Sequence, residues 1–590
     1  MPDHETFVDL LQERAAAHPR RPALIFDADP GQGDAAVRTV PWADLAARAR
    51  QIATLLAGTV RPGDRVLVLN EPGTAFAENF LGVQHAGAIP VPAPLPDGYR
   101  RQRERLAGIA HNAQVAAVVT DAAALAAVRE WAAECGLSDV PCLAFDDVPL
   151  ERTTAWRRPA IDESTIAFLQ YTSGSTSDPK GVVVDHANLL PNLRAFNEIL
   201  GTGEGVRVGG WLPMYHDFGL IGQMLAPLSQ GGCSVGMSAT TFLKRPGTWL
   251  RLIDRHDIEV SPAPNFAYDL CTRRITDEQI AGLDLSRWKR AVNGSEPVQA
   301  ATLAAFGRRF AAAGLRPDAI CPGYGLAEIT LSVSGATIGR PPVVLTVDGE
   351  QLERHIVTPV GAGHPEPVRE LVSSGESTPE FDIRIVDPVT RLPQPPDRIG
   401  EIWLRGASVA RGYWANPAAT REVFDNELAD GEGGFLRTGD LGLLRDGQLY
   451  VTGRIKELLI VNGRNLYPHD VEVAVRAVDE SLSRGVGAAF TVEVPHEELV
   501  VVQECRVRSL DPAARAAVVT AIRHVLSREF GTGAVSVVLV RPGTVPRTTS
   551  GKIQRGLARM LFLTGALGVE HEQLTDGVRA ARRAGDRVRA

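Results

Sequence analysis

The residues best equipped for chemistry lie in one run, Tyr171-Thr172-Ser173-Gly174-Ser175-Thr176-Ser177-Asp178-Pro179-Lys180-Gly181. Its hydroxyls are hydrogen-bond donors, and its glycines let backbone N–H groups approach an oxyanion closely. Lys180 adds a positive charge on a flexible stem. Together these are the parts of a phosphate cradle. The run follows an apolar stretch, Ile166-Ala-Phe-Leu-Gln170, and precedes another, Val182-Val183-Val184. Two predicted strands therefore hold its ends. The P-loop pattern closes on Gly-Lys followed by Ser or Thr. It fails here, because Pro179 precedes Lys180 and Gly181 follows it. Gly551-Lys552 near the C-terminus also lacks the following hydroxyl. A Ser/Gly/Thr cluster is by default a solvated loop, so the assignment needs partners elsewhere in the chain.

Those partners exist. Asn293-Gly294-Ser295-Glu296-Pro297 follows Trp288-Lys-Arg-Ala-Val292, a predicted strand. Tyr324-Gly325-Leu-Ala-Glu328 sets an aromatic ring four residues before a carboxylate. The ring suits stacking and the carboxylate suits a hard cation; alone, they would read as a core Tyr and a surface Glu. Arg437-Thr-Gly-Asp440, Tyr450-Val-Thr-Gly-Arg454 and Pro546-Arg-Thr-Thr-Ser-Gly-Lys552 follow in that order.

In order and residue type these motifs resemble those of the adenylate-forming superfamily, whose members use ATP to activate carboxylates. The resemblance implies ATP and Mg2+ as cofactors. It assigns Thr172, Ser173, Gly174, Ser175, Thr176 and Lys180 to the phosphates, and Asn293, Gly294, Ser295, Tyr324 and Gly325 to the adenine region. Asp440 and Arg454 fall to the ribose, with Arg454 also in reach of phosphate. Thr172 and Glu328 would share the metal. Lys552, Glu328 and His216 are the catalytic candidates. Lys552 would bridge carboxylate and phosphate oxygens from a small domain pivoting near Lys456.

Trp211-Leu-Pro-Met-Tyr-His216-Asp217-Phe-Gly-Leu-Ile-Gly222 and Ala263-Pro-Asn-Phe-Ala-Tyr-Asp-Leu-Cys271 resemble one branch, the fatty acyl-AMP ligases. That branch makes acyl-adenylates from fatty acids. It hands them to the phosphopantetheine thiol of a holo acyl carrier protein in polyketide, nonribosomal-peptide or lipid biosynthesis. Pro341–Glu376 stands where the branch carries an insertion. Three alternatives compete. An acyl-CoA synthetase would use free coenzyme A. An amino-acid adenylation domain would want a carboxylate for the substrate ammonium, and Asp217 is the acidic residue in the segment. A non-catalytic binding module is disfavoured by the joint presence of Lys180, Glu328, Asp440, Arg454 and Lys552.

The elements that must position these residues follow from pattern. The chain has 590 residues, more than one core accommodates. Ala23-Leu-Ile-Phe26, Asp64-Arg-Val-Leu-Val-Leu69 and Val115-Ala-Ala-Val-Val119 read as strands alternating with helices. An α/β fold is expected: a large N-terminal domain of mostly parallel sheets flanked by helices, a β-rich subdomain, and a small mobile C-terminal α/β domain. The phosphate run is expected beyond the C-terminal ends of the parallel strands. The boundary falls between 1–455 and 456–590, with 341–376 a weakly patterned insertion. Asp511, Pro512 and Gly531 bracket a helix whose stripe is Val518, Ile522 and Val525. Arg579, Arg582, Arg583, Arg587 and Arg589 read as a frayed solvated tail. A net charge of −8 argues against nucleic acid as a partner. No basic leader or membrane-length apolar run is visible, and no Cys-x-x-Cys pair occurs, so a cytoplasmic enzyme without stable membrane insertion is expected.

Overall fold

Strand–helix alternation gives two sheets built on parallel strands, as parallel neighbours require crossovers. The computed structural model describes residues 4–96, 100–151, 155–172, 179–361, 363–365, 367–461, 464–494, 496–506, 511–533, 535–548 and 551–589. In the largest sheet six parallel strands lie side by side: Ile320–Gly325, Arg290–Asn293, Val260–Ala263, Arg207–Gly210, Cys233–Gly236 and Pro22–Asp27. Antiparallel strands Ser332–Gly335 and Val37–Pro41 flank them. A second sheet, Ile89–Pro92, Arg65–Leu69, Ala117–Thr120 and Cys142–Ala144, is parallel throughout. Its strands are apolar at nearly every position because helices cover both faces. The α/β class holds.

Buried aromatic side chains brace the helices of the large sheet. Trp249 meets Tyr268 and Trp288 edge-on at 5.5 and 5.4 Å, and Tyr268 meets Phe306 at 4.9 Å. Such pairs contribute about 0.5–1.5 kcal/mol beyond their burial.

The phosphate run departs from its expected place. Ile166–Tyr171 and Gly181–Asp185 pair antiparallel, in a two-stranded sheet of their own. They form a hairpin, not a crossover between parallel strands. The segment 410–414 extends the hairpin: Arg411 N donates to Val183 O, Val183 N to Gly412 O and Trp414 N to Gly181 O, at 3.1, 2.9 and 2.7 Å.

The 341–376 stretch is more regular than its sequence. Val344–Asp348 pairs antiparallel with Val368–Val372 around the short helix Gly349–Leu352. It packs on the C-terminal part of the chain. Glu353 ion-pairs with Arg464, and the Arg369 guanidinium lies 4.7 Å from the Phe530 ring centroid. The prolines and glycines that blur its pattern sit in the connections.

Residues 459–589 carry their own cores on the two faces of a four-stranded sheet, Gly487–Glu493, Glu497–Glu504, Val535–Val540 and Val569–Gln573. In the helix Pro512–Phe530 the Asp511 side chain accepts from Ala514 N, and Gly531 closes the end at φ 59°. Its buried stripe is Val518, Ile522 and Leu526, with Val519 and Phe530; Leu526 takes the place expected for Val525. The basic end is not frayed. Asp576–Arg589 is a helix anchored by fully buried Val578, and Arg582 pairs with Glu572 over the Phe562 ring. The side chains of Arg587 and Arg589 lie outside the described residues.

Gly375 joins the insertion to the large sheet at φ 84°, where an added Cβ would sit 1.8 Å from the Gly335 carbonyl oxygen. Gly375→Ala is expected to lower unfolding stability by about 2 kcal/mol or more. Urea unfolding followed by tryptophan fluorescence measures it, and an unchanged midpoint would show that the backbone relaxes freely here.

Candidate active site

Parallel strands of the large sheet end on one edge, and the loops that leave them carry the candidate residues. Arg207–Gly210 runs into Trp211–His216. There the Asp217 carboxylate accepts from Phe218 N (2.7 Å) and starts the π-helical turn Phe218–Leu225, a geometry frequent at functional sites. Arg290–Asn293 runs into Gly294 and Ser295, with Ser295 at φ 70°. Asn293 is fully buried and braces the turn by donating to Asn265 Oδ1 at 3.2 Å. Ile320–Gly325 delivers Tyr324.

Tyr324, Asp440 and Arg454 come together. The Tyr324 hydroxyl donates to Asp440 Oδ2 at 2.7 Å, and Arg454 Nε lies 2.9 Å from Asp440 Oδ1. Antiparallel register sets the second contact, because Asp440 and Arg454 are directly opposed on neighbouring strands. Arg437 of the same motif turns inward to Glu401 at 2.8 Å, leaving Asp440 as the group presented to the site.

Glu328 forms a second group. The Tyr413 hydroxyl donates to Glu328 Oε1 at 2.7 Å, and Lys180 Nζ stands 4.9 Å from the Tyr413 ring centroid. Burial raises the Glu328 carboxyl, while the Tyr413 hydrogen bond opposes that rise. Thr172 closes the loop base: its N–H donates to Lys180 O at 3.2 Å, and Arg105 donates to its carbonyl at 2.7 Å. Ser173, Gly174, Ser175 and Thr176 lie outside the described residues.

Lys552 reaches the site from the far end of the chain. The charges acting on its ammonium include Asp217, Arg454, Glu296 and Asp440, and its burial lowers its pKa below the usual lysine value. A turn holds it, with Thr548 N donating to Lys552 O at 2.8 Å and Lys552 N to Thr548 Oγ1 at 3.0 Å. His216 is pushed down to about 3, chiefly by burial and further by the Lys552 and Arg105 cations. It is a neutral imidazole at ordinary pH.

Sequence reasoning missed Tyr413, Arg105 and Glu296. Glu296 stood inside a quoted motif; its carboxylate accepts from Phe266 N at 2.6 Å. Arg105 sits on the helix Arg100–Ala113, which also meets the hairpin where Tyr171 donates to Asn112 at 2.6 Å. Nothing in the spacing of Gly412-Tyr413-Trp414 flags Tyr413.

Among the described residues no cluster of three or more His, Cys, Asp or Glu could cage a metal. The Glu328 carboxylate and the Thr172 hydroxyl, the donors expected from the sequence, are both hard oxygens. That set fits Mg2+, which keeps several waters and binds through one or two carboxylates plus substrate phosphates.

A family model described as AMP-binding enzyme matches residues 11–414. The chain belongs to the AMP-binding enzyme family. It groups there with the fatty acyl-AMP ligases of the adenylate-forming enzymes. The medium-chain-fatty-acid–[acyl-carrier-protein] ligase JamA of Moorena producens (strain JHB) is 39% identical over 96% of this chain and 96% of its own. A long-chain-fatty-acid–AMP ligase of Mycobacterium bovis, FadD26, is 37% identical over 92% and 95%. A fatty acyl-adenylate ligase from L. pneumophila, solved with acyl adenylate and pyrophosphate, superposes at TM-score 0.74 and 35% identity, covering 97% and 98%.

For this adenylate-forming enzyme the His216 environment has a kinetic consequence. With the ring charged only below about pH 3, its titration lies outside the working range. His216→Gln should change the height of the pH–rate profile for pyrophosphate release between pH 5 and 8, and leave its shape. A limb near pH 6.5 present in the parent and lost in the variant would overturn this.

Proposed function

We propose that the enzyme activates a medium- or long-chain fatty acid with ATP and passes the acyl group to the phosphopantetheine thiol of a holo acyl carrier protein. The observation that carries this reading is the Tyr324–Asp440–Arg454 group, with Asp440 and Arg454 among the charges that act on the buried Lys552 ammonium, together with the Glu328–Tyr413–Lys180 group. The fatty acid–activating relatives support the substrate class, and JamA's name supports the acceptor.

In the first step a carboxylate oxygen attacks the α-phosphorus and the bond to the β-phosphate oxygen breaks, releasing pyrophosphate. Lys552 holds the carboxylate and α-phosphate oxygens together. Lys180 and Arg105 stand where charge accumulates on the leaving group. Asp440 accepts the ribose hydroxyls, exchanging the Tyr324 hydroxyl for them. Bound between Glu328, Thr172 and the phosphates, Mg2+ would supply charge neutralisation. In the second step the thiol sulfur attacks the acyl carbon, AMP leaves and the thiol proton is released.

The fatty acid–activating relatives favour an acyl chain over an amino acid. Beside Asp217 and Ser295 lies a cavity of about 40 Å³ walled by Phe196, Ile199, Leu200, Phe218 and Leu331. Asp217 is the acidic residue on its wall, and it accepts from Phe218 N.

We place the domain boundary at 455/456 and the pivot at Lys456. Contacts of the 341–376 stretch with Arg464, Asp470 and Phe530 tether the small domain. This favours a carrier-bound thiol over free coenzyme A. No helix among the described residues is long and apolar enough to cross a membrane, and the six cysteines are free thiols, which supports a cytoplasmic setting.

Lys552→Ala should cut pyrophosphate release a hundredfold or more, since one transition-state donor is worth on the order of 3–4 kcal/mol, with ATP binding kept. Near-parent release would return Lys552 to a surface role. Mass spectrometry with each acceptor in excess tests the second step. Acyl carrier thioester and little acyl-CoA are expected from the parent, and a rise in acyl-CoA from Glu353→Ala/Arg369→Ala. Efficient acyl-CoA formation by the parent would make the enzyme an acyl-CoA synthetase.

A further inference from the structure

Tyr413 lies in a segment that two parts of the site anchor independently. Its backbone neighbours pair with the strand leaving the phosphate run, through Arg411, Gly412 and Trp414. Three residues earlier, Ala410 N donates to Glu328 O at 2.9 Å. The side chain has little freedom: it is 7% exposed and packs edge-on against Phe424 at 5.3 Å. Its two functional ends face different charges. The hydroxyl meets Glu328 Oε1 at 2.7 Å, and the ring face meets Lys180 Nζ at 4.9 Å.

We propose that Tyr413 is a positioning residue for adenylation: its hydroxyl fixes the Glu328 carboxylate and its ring face holds the Lys180 ammonium. This rests on the reading of Glu328 as the metal carboxylate. Glu328 and Lys180 have opposite charges and flexible side chains. Direct pairing of the two would cancel the charges that the metal and the phosphates need. An aromatic ring between them offers the cation a quadrupole in place of a carboxylate. It offers the carboxylate one neutral donor, leaving Oε2 for a cation. Groups that orient metal ligands in this way typically change metal affinity or activity by about 10–100-fold when removed.

Tyr413→Phe deletes the hydroxyl and keeps the ring with its Phe424 and Lys180 contacts. Tyr413→Leu removes both. Mn2+ binding in the presence of α,β-methylene-ATP, read by electron paramagnetic resonance, reports the site without turnover. Tyr413→Phe should weaken Mn2+ about tenfold, raise the Mg2+ concentration needed for half-maximal pyrophosphate release, and leave the KM for fatty acid unchanged. In a Glu328→Gln background the same substitution should add nothing further, as expected of two groups acting through one contact. Tyr413→Leu should in addition weaken the nucleotide analogue a few-fold in the absence of metal. Unchanged Mn2+ affinity in Tyr413→Phe overturns the proposal. So does an equal loss in parent and Glu328→Gln backgrounds, which marks general packing. Failure of the underlying reading looks different: Glu328→Gln itself would then bind Mn2+ like the parent.

Discussion

Asp440 is the joint on which the site depends. Its side chain is 4% exposed, and a buried carboxylate is tolerated only when it is paired and hydrogen-bonded. The partners come from separate elements: Tyr324 from the edge of the large parallel sheet, Arg454 from the last strand before the C-terminal part. Hydrogen bonds to charged groups contribute roughly 1.5–3 kcal/mol each. Leaving a buried polar group without its partner costs about 1–3 kcal/mol, more for a charged one. The carboxylate thus ties the parallel sheet to the antiparallel one, and its field extends to Lys552. Under the proposed function a nucleotide exchanges a Tyr324 hydroxyl for ribose hydroxyls on this carboxylate. The gain from that exchange is small, so ATP affinity depends on the phosphate side.

Much of the frame was legible because its determinants are local. The helix Pro512–Phe530 is written in three residues, Asp511, Pro512 and Gly531, whose backbone preferences act within a turn. Buried parallel strands announce themselves as unbroken apolar runs. The convergence of Tyr324, Asp440, Arg454 and Lys552 rested on the resemblance, since no spacing places residues hundreds of positions apart. The unread features are non-local. Tyr413 meets Glu328 across 85 positions, and its ring is an ordinary core aromatic until the hairpin brings Lys180 over it. The phosphate run was assigned to a parallel sheet because apolar runs of strand length do not declare their partner's direction. The 341–376 stretch looked irregular because its prolines and glycines lie between paired strands. Val525 and Leu526 differ by one helical step of 100°, too fine for pattern alone to choose the buried one.

Under the proposed function, acceptor choice would follow from the tethering of the C-terminal part. In the proposed cycle the C-terminal part presents Lys552 for the first step and must move away for the second. The observed arrangement is held by two kinds of contact. One is electrostatic and ligand-dependent: the field of Asp217, Glu296 and Asp440 acting on the buried Lys552 ammonium. That contact changes when pyrophosphate and its charge depart. The other does not involve substrate: Glu353 on Arg464, and Arg369 on Phe530 and Asp470. It does not depend on which ligand is bound, and it biases the C-terminal part toward the first position. A bias of 1–2 kcal/mol changes the population of the second position by a factor of about 5–30. A carrier protein can recover that difference through contacts with the protein surface, because it binds as a folded domain as well as through its thiol arm. Free coenzyme A is a small molecule and has far less surface with which to do so. Selection of the carrier-bound thiol then requires no residue that recognises coenzyme A and rejects it. It requires only a tether whose strength falls between what the two acceptors can return.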